Sequence, residues 1–157
     1  MLTFCKALLA RRLVERGVSY VTLDLSNHSA SGTWDTHGDN IPPYGGIWSG
    51  LRPLLPVFDH LFSTLVTDLG DRMADVVILT MSEFGRAVAE NGSRGTDHGH
   101  GNAMFVLGGG VRGKQVHGRW PGLAPARRYD GRDLAVTTDF RDVFGEVVVR
   151  PLGLSDA

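Results

Sequence analysis

Oxygen and nitrogen donors crowd into one stretch of this sequence. Glu83 and Arg86 follow directly on an apolar run from Val76 to Met81, and Asp97, His98 and His100 then fall within a glycine-rich loop. Carboxylate and imidazole together form the donor set of a divalent metal. Zinc and manganese suit the mixture best, with magnesium, calcium or iron possible. A second cluster lies upstream in Trp34-Asp35-Thr36-His37-Gly38. Asp35 and His37 are two apart, so in extended backbone both side chains leave on one face, which is good chelate spacing. The competing reading is an Asx-turn with a surface histidine. His98 and His100 repeat the alternation, against the competing reading of a solvated hairpin. The candidate metal ligands are therefore Asp35, His37, Glu83, Asp97, His98 and His100. Arg86 is the candidate to hold an anionic substrate, because a guanidinium matches the geometry of phosphate or sulfate. If the backbone turned helical after Met81, Glu83 and Arg86 would instead pair on the surface, for only ~0.2–1 kcal/mol.

Other patterns carry less. Gly108-Gly109-Gly110-Val111-Arg112-Gly113 has the spacing of a dinucleotide fingerprint, but the residues after it, through Trp120-Pro121, cannot open the helix that would hold a pyrophosphate. A turn is expected there. Ser82 stands at a strand end, yet Thr80 occupies the first glycine position of a nucleophile elbow, so a serine hydrolase is a weak alternative. His28, His60 and His117 are isolated, with His60 expected on a helix surface. Cys5, the single cysteine, excludes an internal disulfide and reads as a packed apolar side chain.

The elements that must position these residues follow from periodicity. Residues 3–16 place Phe4, Leu8, Leu9, Leu13 and Val14 at helical spacing, with Gly17 as the C-terminal cap. Val18 to Leu25 reads as a strand, and 26–50 as a long loop marked by Pro42-Pro43 and Gly45-Gly46. A helix over 53–69 turns Leu54, Phe58, Leu61, Phe62, Leu65 and Leu69 to one side, with Pro56 near its first turn. Strands are expected at 75–81 and 103–107 and a helix over 139–149; the further strands of the sheet are expected within 111–130, or else the chain is a fragment and the sheet incomplete. Thr138 would cap that helix, Phe140, Val143, Phe144 and Val147 would point inward, and Pro151 and Gly153 would stop it. Helices alternating with strands predict an α/β fold: a three-layer α/β/α domain on a mostly parallel sheet, with the site at the strand ends.

Bulk properties narrow the class. A chain of 157 residues makes one domain, or part of a larger one, able to bury roughly 68–70% of its unfolded surface. Its 21 glycines exceed the average usage of ~7% and gather in the loops that hold the donors. A formal net charge of −1 offers no overall field for nucleic acid or an anionic membrane. No apolar run reaches the ~20 residues a bilayer requires, and the start lacks the order of an export signal.

In series, several segments resemble the C-terminal part of a bacterial family, domain of unknown function 1501, and through it the alkaline-phosphatase and sulfatase superfamily. They are Ala10-Arg11-Arg12-Leu13-Val14-Glu15-Arg16-Gly17-Val18, Trp34-Asp35-Thr36-His37-Gly38, Glu83-Phe84-Gly85-Arg86, Gly95-Thr96-Asp97-His98, the run from Gly108 to Val116, and Leu152-Gly153-Leu154. The resemblance implies a two-metal centre that polarises a phosphate or sulfate ester. Asp35 and His37 resemble its mid-chain ligands, Glu83 its strand-end carboxylate and His98 its late histidine. Phe84 departs from the pattern, since the superfamily has a ligating histidine there. The first ligand and the nucleophile belong to the N-terminal half, so activity is expected only with that half or within a longer parent; the partners expected are that half or a second copy of this chain. The expected function is metal-dependent ester hydrolysis on a small anionic substrate; the alternative is a non-catalytic, metal-stabilised binding or structural domain.

Overall fold

The structure, a computed structural model, describes residues 2–25, 34–38 and 45–152. His28, Pro42-Pro43 and Gly153, to which the sequence assigned a place, lie outside the described residues. The chain is mixed α/β and divides into two compact units, Met1–Asp71 with Asn91–Gly95, and Arg72–Glu90 with Thr96–Ala157. Among the described residues no helix is long and apolar enough to cross a membrane.

In the first unit, helix α1 (Leu2–Glu15) packs against helix α2 (Ile47–Leu69). The face that α1 turns inward is not the leucine stripe expected from its sequence. Ala7 and Ala10 are buried, whereas Leu8, Leu9 and Leu13 are all exposed. Ala7, Ala10, Arg11 and Val14 follow the i, i+3, i+4, i+7 stripe that a helix presents to a neighbour. Arg11 sets the rotation by reaching Asp68 of α2 at 2.8 Å while also pairing with Glu15 at 2.9 Å. Cys5, expected to be packed, is exposed.

Helix α1 ends as its sequence predicts. Gly17 adopts φ +88°, and the N–H groups of Gly17 and Val18 return to the carbonyls of Val14 and Leu13 at 2.9 and 3.1 Å. This is the double C-terminal closure that needs a left-handed residue. Val18–Leu25 then runs on without joining a ladder, so the strand expected there is absent. Helix α2 begins six residues before the expected start, at Ile47, and Pro53 and Pro56 lie inside it. Both prolines are exposed, so water can take the carbonyls their missing N–H groups release. Its expected inner face holds: Leu61 and Leu69 are buried, while Leu55 and Val57 are exposed.

The second unit contains strands β1 (Val77–Leu79), β2 (Gly85–Arg86), β3 (His98–Gly99) and β4 (Val106–Gly108). They form two sheets of two strands, β1 with β4 and β2 with β3, and both pairs are antiparallel. The strands expected at 75–81 and 103–107 pair with each other, Ile78 opposite Leu107, but antiparallel where a mostly parallel sheet was expected. The reason lies in the connection. Parallel neighbours need a crossover that is usually a helix, and the segment between β1 and β4 holds the β2–β3 ribbon and no helix. Gly109 and Gly110 form the expected turn, and 111–130 contributes a short 3-10 helix, Pro125–Arg127, in place of strands.

Helix α3 (Phe140–Leu152) starts one residue later than Thr138 would dictate, because Asp139 is the cap. Its Oδ1 accepts the N–H of Arg141 at 2.8 Å, and its carboxylate also pairs with the Arg141 guanidinium. Phe140, expected to point inward, is more than half exposed. Pro151 does not stop the helix but enters its last turn, where only one backbone bond is forgone. Hydrogen bonds from the Arg141 side chain and backbone bring the Asp139 carboxyl down to about 2. A depressed carboxyl stabilises the fold above its unfolded value of ~3.9, and that stabilisation is lost as pH falls toward the folded value. Asp139→Asn is therefore expected to lower the unfolding midpoint near neutrality and to flatten its acid limb between roughly pH 4 and pH 2, so that the two curves converge at the acid end. Circular dichroism melts across that range check it; a variant curve parallel to the wild type would refute the assignment.

Candidate metal centre

Within the first unit, Asp35 and His37 meet as their spacing predicts. The Asp35 carboxylate accepts the His37 backbone N–H at 3.0 Å, which is an Asx-turn, and the same oxygen contacts His37 Nδ1. The turn of the competing reading is present, and with it a carboxylate–imidazole pair. Asn91, which sequence reasoning passed over, anchors the loop. Its Nδ2 donates to the His37 carbonyl at 2.8 Å, and its Oδ1 accepts the N–H groups of Ser93 and Gly95 at 2.9 and 3.0 Å. Asn91-Gly92 is a turn signal that could have pointed to it.

The second unit holds a stronger pair. The β2–β3 ribbon sets Arg86 opposite His98, and the chain continues to His100. The Gly101 N–H donates to the Leu134 carbonyl at 3.0 Å, and Ala87 and Asp133 form an antiparallel bridge. These bonds lay residues 132–134 alongside the loop. Asp133 is 1% exposed and is the one charged side chain buried among the described residues. Its Oδ2 meets His100 Nδ1 at 2.7 Å, and Arg132 closes on both of its oxygens at 2.7 and 3.0 Å. Hydrogen bonds from Arg132, then from His100, hold the Asp133 carboxyl below its ordinary value, while Asp133 raises Arg132. The His100 ring lies 4.3 Å from that of Tyr129, yet its side chain is still 51% exposed.

A tight turn creates this arrangement. Asp130 and Gly131 both take positive φ, and the Asp133 N–H returns to the Tyr129 carbonyl at 3.0 Å. One five-residue turn thereby brings an aromatic face and a carboxylate to the same imidazole. Asp133 was missed in the sequence because nothing in its type separates it from the other acids. The Asp130-Gly131 turn signal was legible, but its meeting with His100 was not.

The other candidates stand apart from this pair. His98 stacks on Phe84 with ring centroids 4.0 Å apart, whereas His100 meets Asp133 and Tyr129. Arg86 donates to the Thr96 carbonyl at 3.0 Å and lies 5.3 Å from the Phe84 centroid, a cation–π distance. Glu83 is exposed on a bend and pairs with no cation among the described residues, since the backbone enters β2 instead of a helix. Asp97 is exposed, and its carbonyl accepts the Ala87 N–H at 3.0 Å. Ser82 donates to the Phe84 carbonyl, and the His117 ring contacts the Arg112 carbonyl. Among the described residues no three His, Cys, Asp or Glu side chains gather to hold an ion. The donor chemistry fits a divalent cation; the donors come as pairs.

These features define a mixed α/β protein with two imidazoles, each oriented through Nδ1 by a carboxylate. The chain belongs to the protein family of unknown function DUF1501, which it matches over residues 4–153. Neither a curated protein nor a solved structure matches it significantly.

Proposed function

We propose that this chain carries the metal-holding part of a phosphate- or sulfate-ester hydrolase of the alkaline-phosphatase and sulfatase kind. The observation that carries the reading is His100, whose Nδ1 is bound to the buried Asp133 while the ring stays open to solvent. A histidine that ligates a metal donates its other ring N–H to a carboxylate in this way, which sets the tautomer and leaves Nε2 for the ion. Asp35 and His37 repeat the pairing. His37 and His100 would hold metal in their respective units, with Asp35, Glu83, Asp97 and His98 supplying further donors. When bound, the ion polarises an ester oxygen and offsets developing charge. Arg86, anchored by Thr96 and Phe84, would face the ester anion. The order of Asp35-Thr36-His37, Glu83-Phe84-Gly85-Arg86 and Asp97-His98 supports the superfamily likeness. The three-layer arrangement on a mostly parallel sheet belongs to this reading, not to the described sheets.

One observation favours the alternative, a metal-stabilised binding domain without turnover: the donors stand in pairs, not threes. Elemental analysis by mass spectrometry, with hydrolysis of 4-nitrophenyl phosphate and 4-nitrophenyl sulfate before and after chelation, separates the two. The expected result is bound zinc or manganese, and activity that chelation removes and added metal restores. Metal without turnover selects the alternative. A folded protein that takes up no metal from zinc or manganese solutions refutes both.

A further inference from the structure

From His98 to Tyr129 the sequence carries Arg112, Lys114, Arg119, Arg127 and Arg128 and not one Asp or Glu, in a chain whose formal net charge is −1. Whole-chain charge hides this segregation. Two of these cations, Arg119 and Arg127, come to one groove of about 410 Å³ with Pro121, Ala135, Val136 and Thr137. That volume lies within the ~300–1,000 Å³ of small-molecule sites. Neither guanidinium pairs with a carboxylate among the described residues; Arg127 makes one long bond, 3.5 Å, to the Pro121 carbonyl. Pro121, Ala135 and Val136 give the groove an apolar wall, and the lining residues include no acid.

We propose that this groove binds an organic phosphate or sulfate, its tetrahedral oxyanion held by Arg119 and Arg127 and a small apolar body resting on Pro121, Ala135 and Val136. The choice of head group follows from the donors. One guanidinium can satisfy both oxygens of a carboxylate through a two-pronged contact, whereas two guanidiniums suit a head with three free oxygens. The apolar wall selects an organic anion over inorganic phosphate, since burying hydrocarbon adds to the charge-assisted bonds. No candidate metal ligand lines the groove, so the site is independent of the proposed metal centre.

The test is isothermal titration calorimetry on the whole chain in the presence of EDTA. The probes are phenylphosphonate and benzenesulfonate, which contain no ester to hydrolyse, beside benzoate, phenol and inorganic phosphate. Saturable binding of the phosphonate or the sulfonate is expected, whichever is tighter identifying the head group, with benzoate, phenol and inorganic phosphate weaker. Arg119→Gln and Arg127→Gln should each weaken binding roughly tenfold or more, as loss of a charged hydrogen bond implies. Arg112→Gln, outside the groove, should leave it unchanged. Both groove arginines are exposed, so the variants should keep the wild-type circular dichroism spectrum and melting point. Four results overturn the proposal: no saturable binding of either tetrahedral anion, benzoate or phenol binding as tightly as those anions, indifference to both groove substitutions, or an equal loss in Arg112→Gln. Failure of the metal assay leaves this titration unaffected, so the two readings fail separately.

Discussion

Replacing His100 by alanine is expected to remove metal from the second unit and reduce ester hydrolysis to background, and Asp133→Asn to weaken metal affinity or turnover by roughly 10- to 100-fold. The two effects differ in kind. In the proposed centre His100 would offer the ligating nitrogen itself. Asp133 acts through it, holding Nδ1 at 2.7 Å from a site that is 1% exposed, while Arg132 keeps the carboxylate charged. Asparagine preserves the volume and can still accept the Nδ1–H, but it gives up the negative charge that makes the imidazole a better donor. Asp133→Asn should therefore retain the fold, while nitrogen chemical shifts of the His100 ring show a less uniform tautomer. A structural role alone would lower the melting point and leave those shifts unchanged. Metal content and affinity, read beside the shifts, decide it: metal retained at wild-type affinity in both variants would remove His100 from the centre.

Gly95→Ala is expected to destabilise the first unit by ~1–3 kcal/mol, toward the upper end, because the new methyl would overlap backbone and not a movable side chain. A Cβ built on Gly95 runs into the Thr36 carbonyl oxygen and the carbonyl group of His37. Relief requires displacing the Asp35–His37 turn or breaking the bonds from Asn91 that hold it. Gly17→Ala is the comparison. A Cβ on Gly17 meets nothing within 4 Å, so its effect is that of the left-handed backbone alone, ~1–2 kcal/mol. Denaturant unfolding of the two variants separates close approach from conformation. A Gly95→Ala loss no larger than that of Gly17→Ala would mean that the loop can yield, and would weaken the case for a rigidly held His37.

Features that depend on near neighbours in the chain were legible in the sequence. The Gly17 closure, the inner face of α2, the turn at Gly109-Gly110 and the meeting of Asp35 with His37 each involve residues a few positions apart. Local geometry and periodicity suffice for these. The packing face of α1 was not legible, because hydrophobicity favours the leucines, whereas the observed contact uses Ala7 and Ala10 and an arginine whose partner lies 57 residues away. Nor was the sense of the sheet. Apolar runs show that strands exist, but their direction depends on what connects them, and here a ribbon replaces the expected crossover helix.

The candidate site divides along the same line. Sequence alone showed which residues of metal-ligating type are present and which loops carry them. Only tertiary structure could separate His100 from His98, two residues apart and alike in type, by bringing the buried Asp133 and Tyr129 to the one and Phe84 to the other. That choice rests on Asp133, 33 positions from His100, whose burial depends on bonds between segments that local sequence does not relate. Burial and partner geometry are properties of long-range contacts, and those contacts turn a common residue type into an oriented donor.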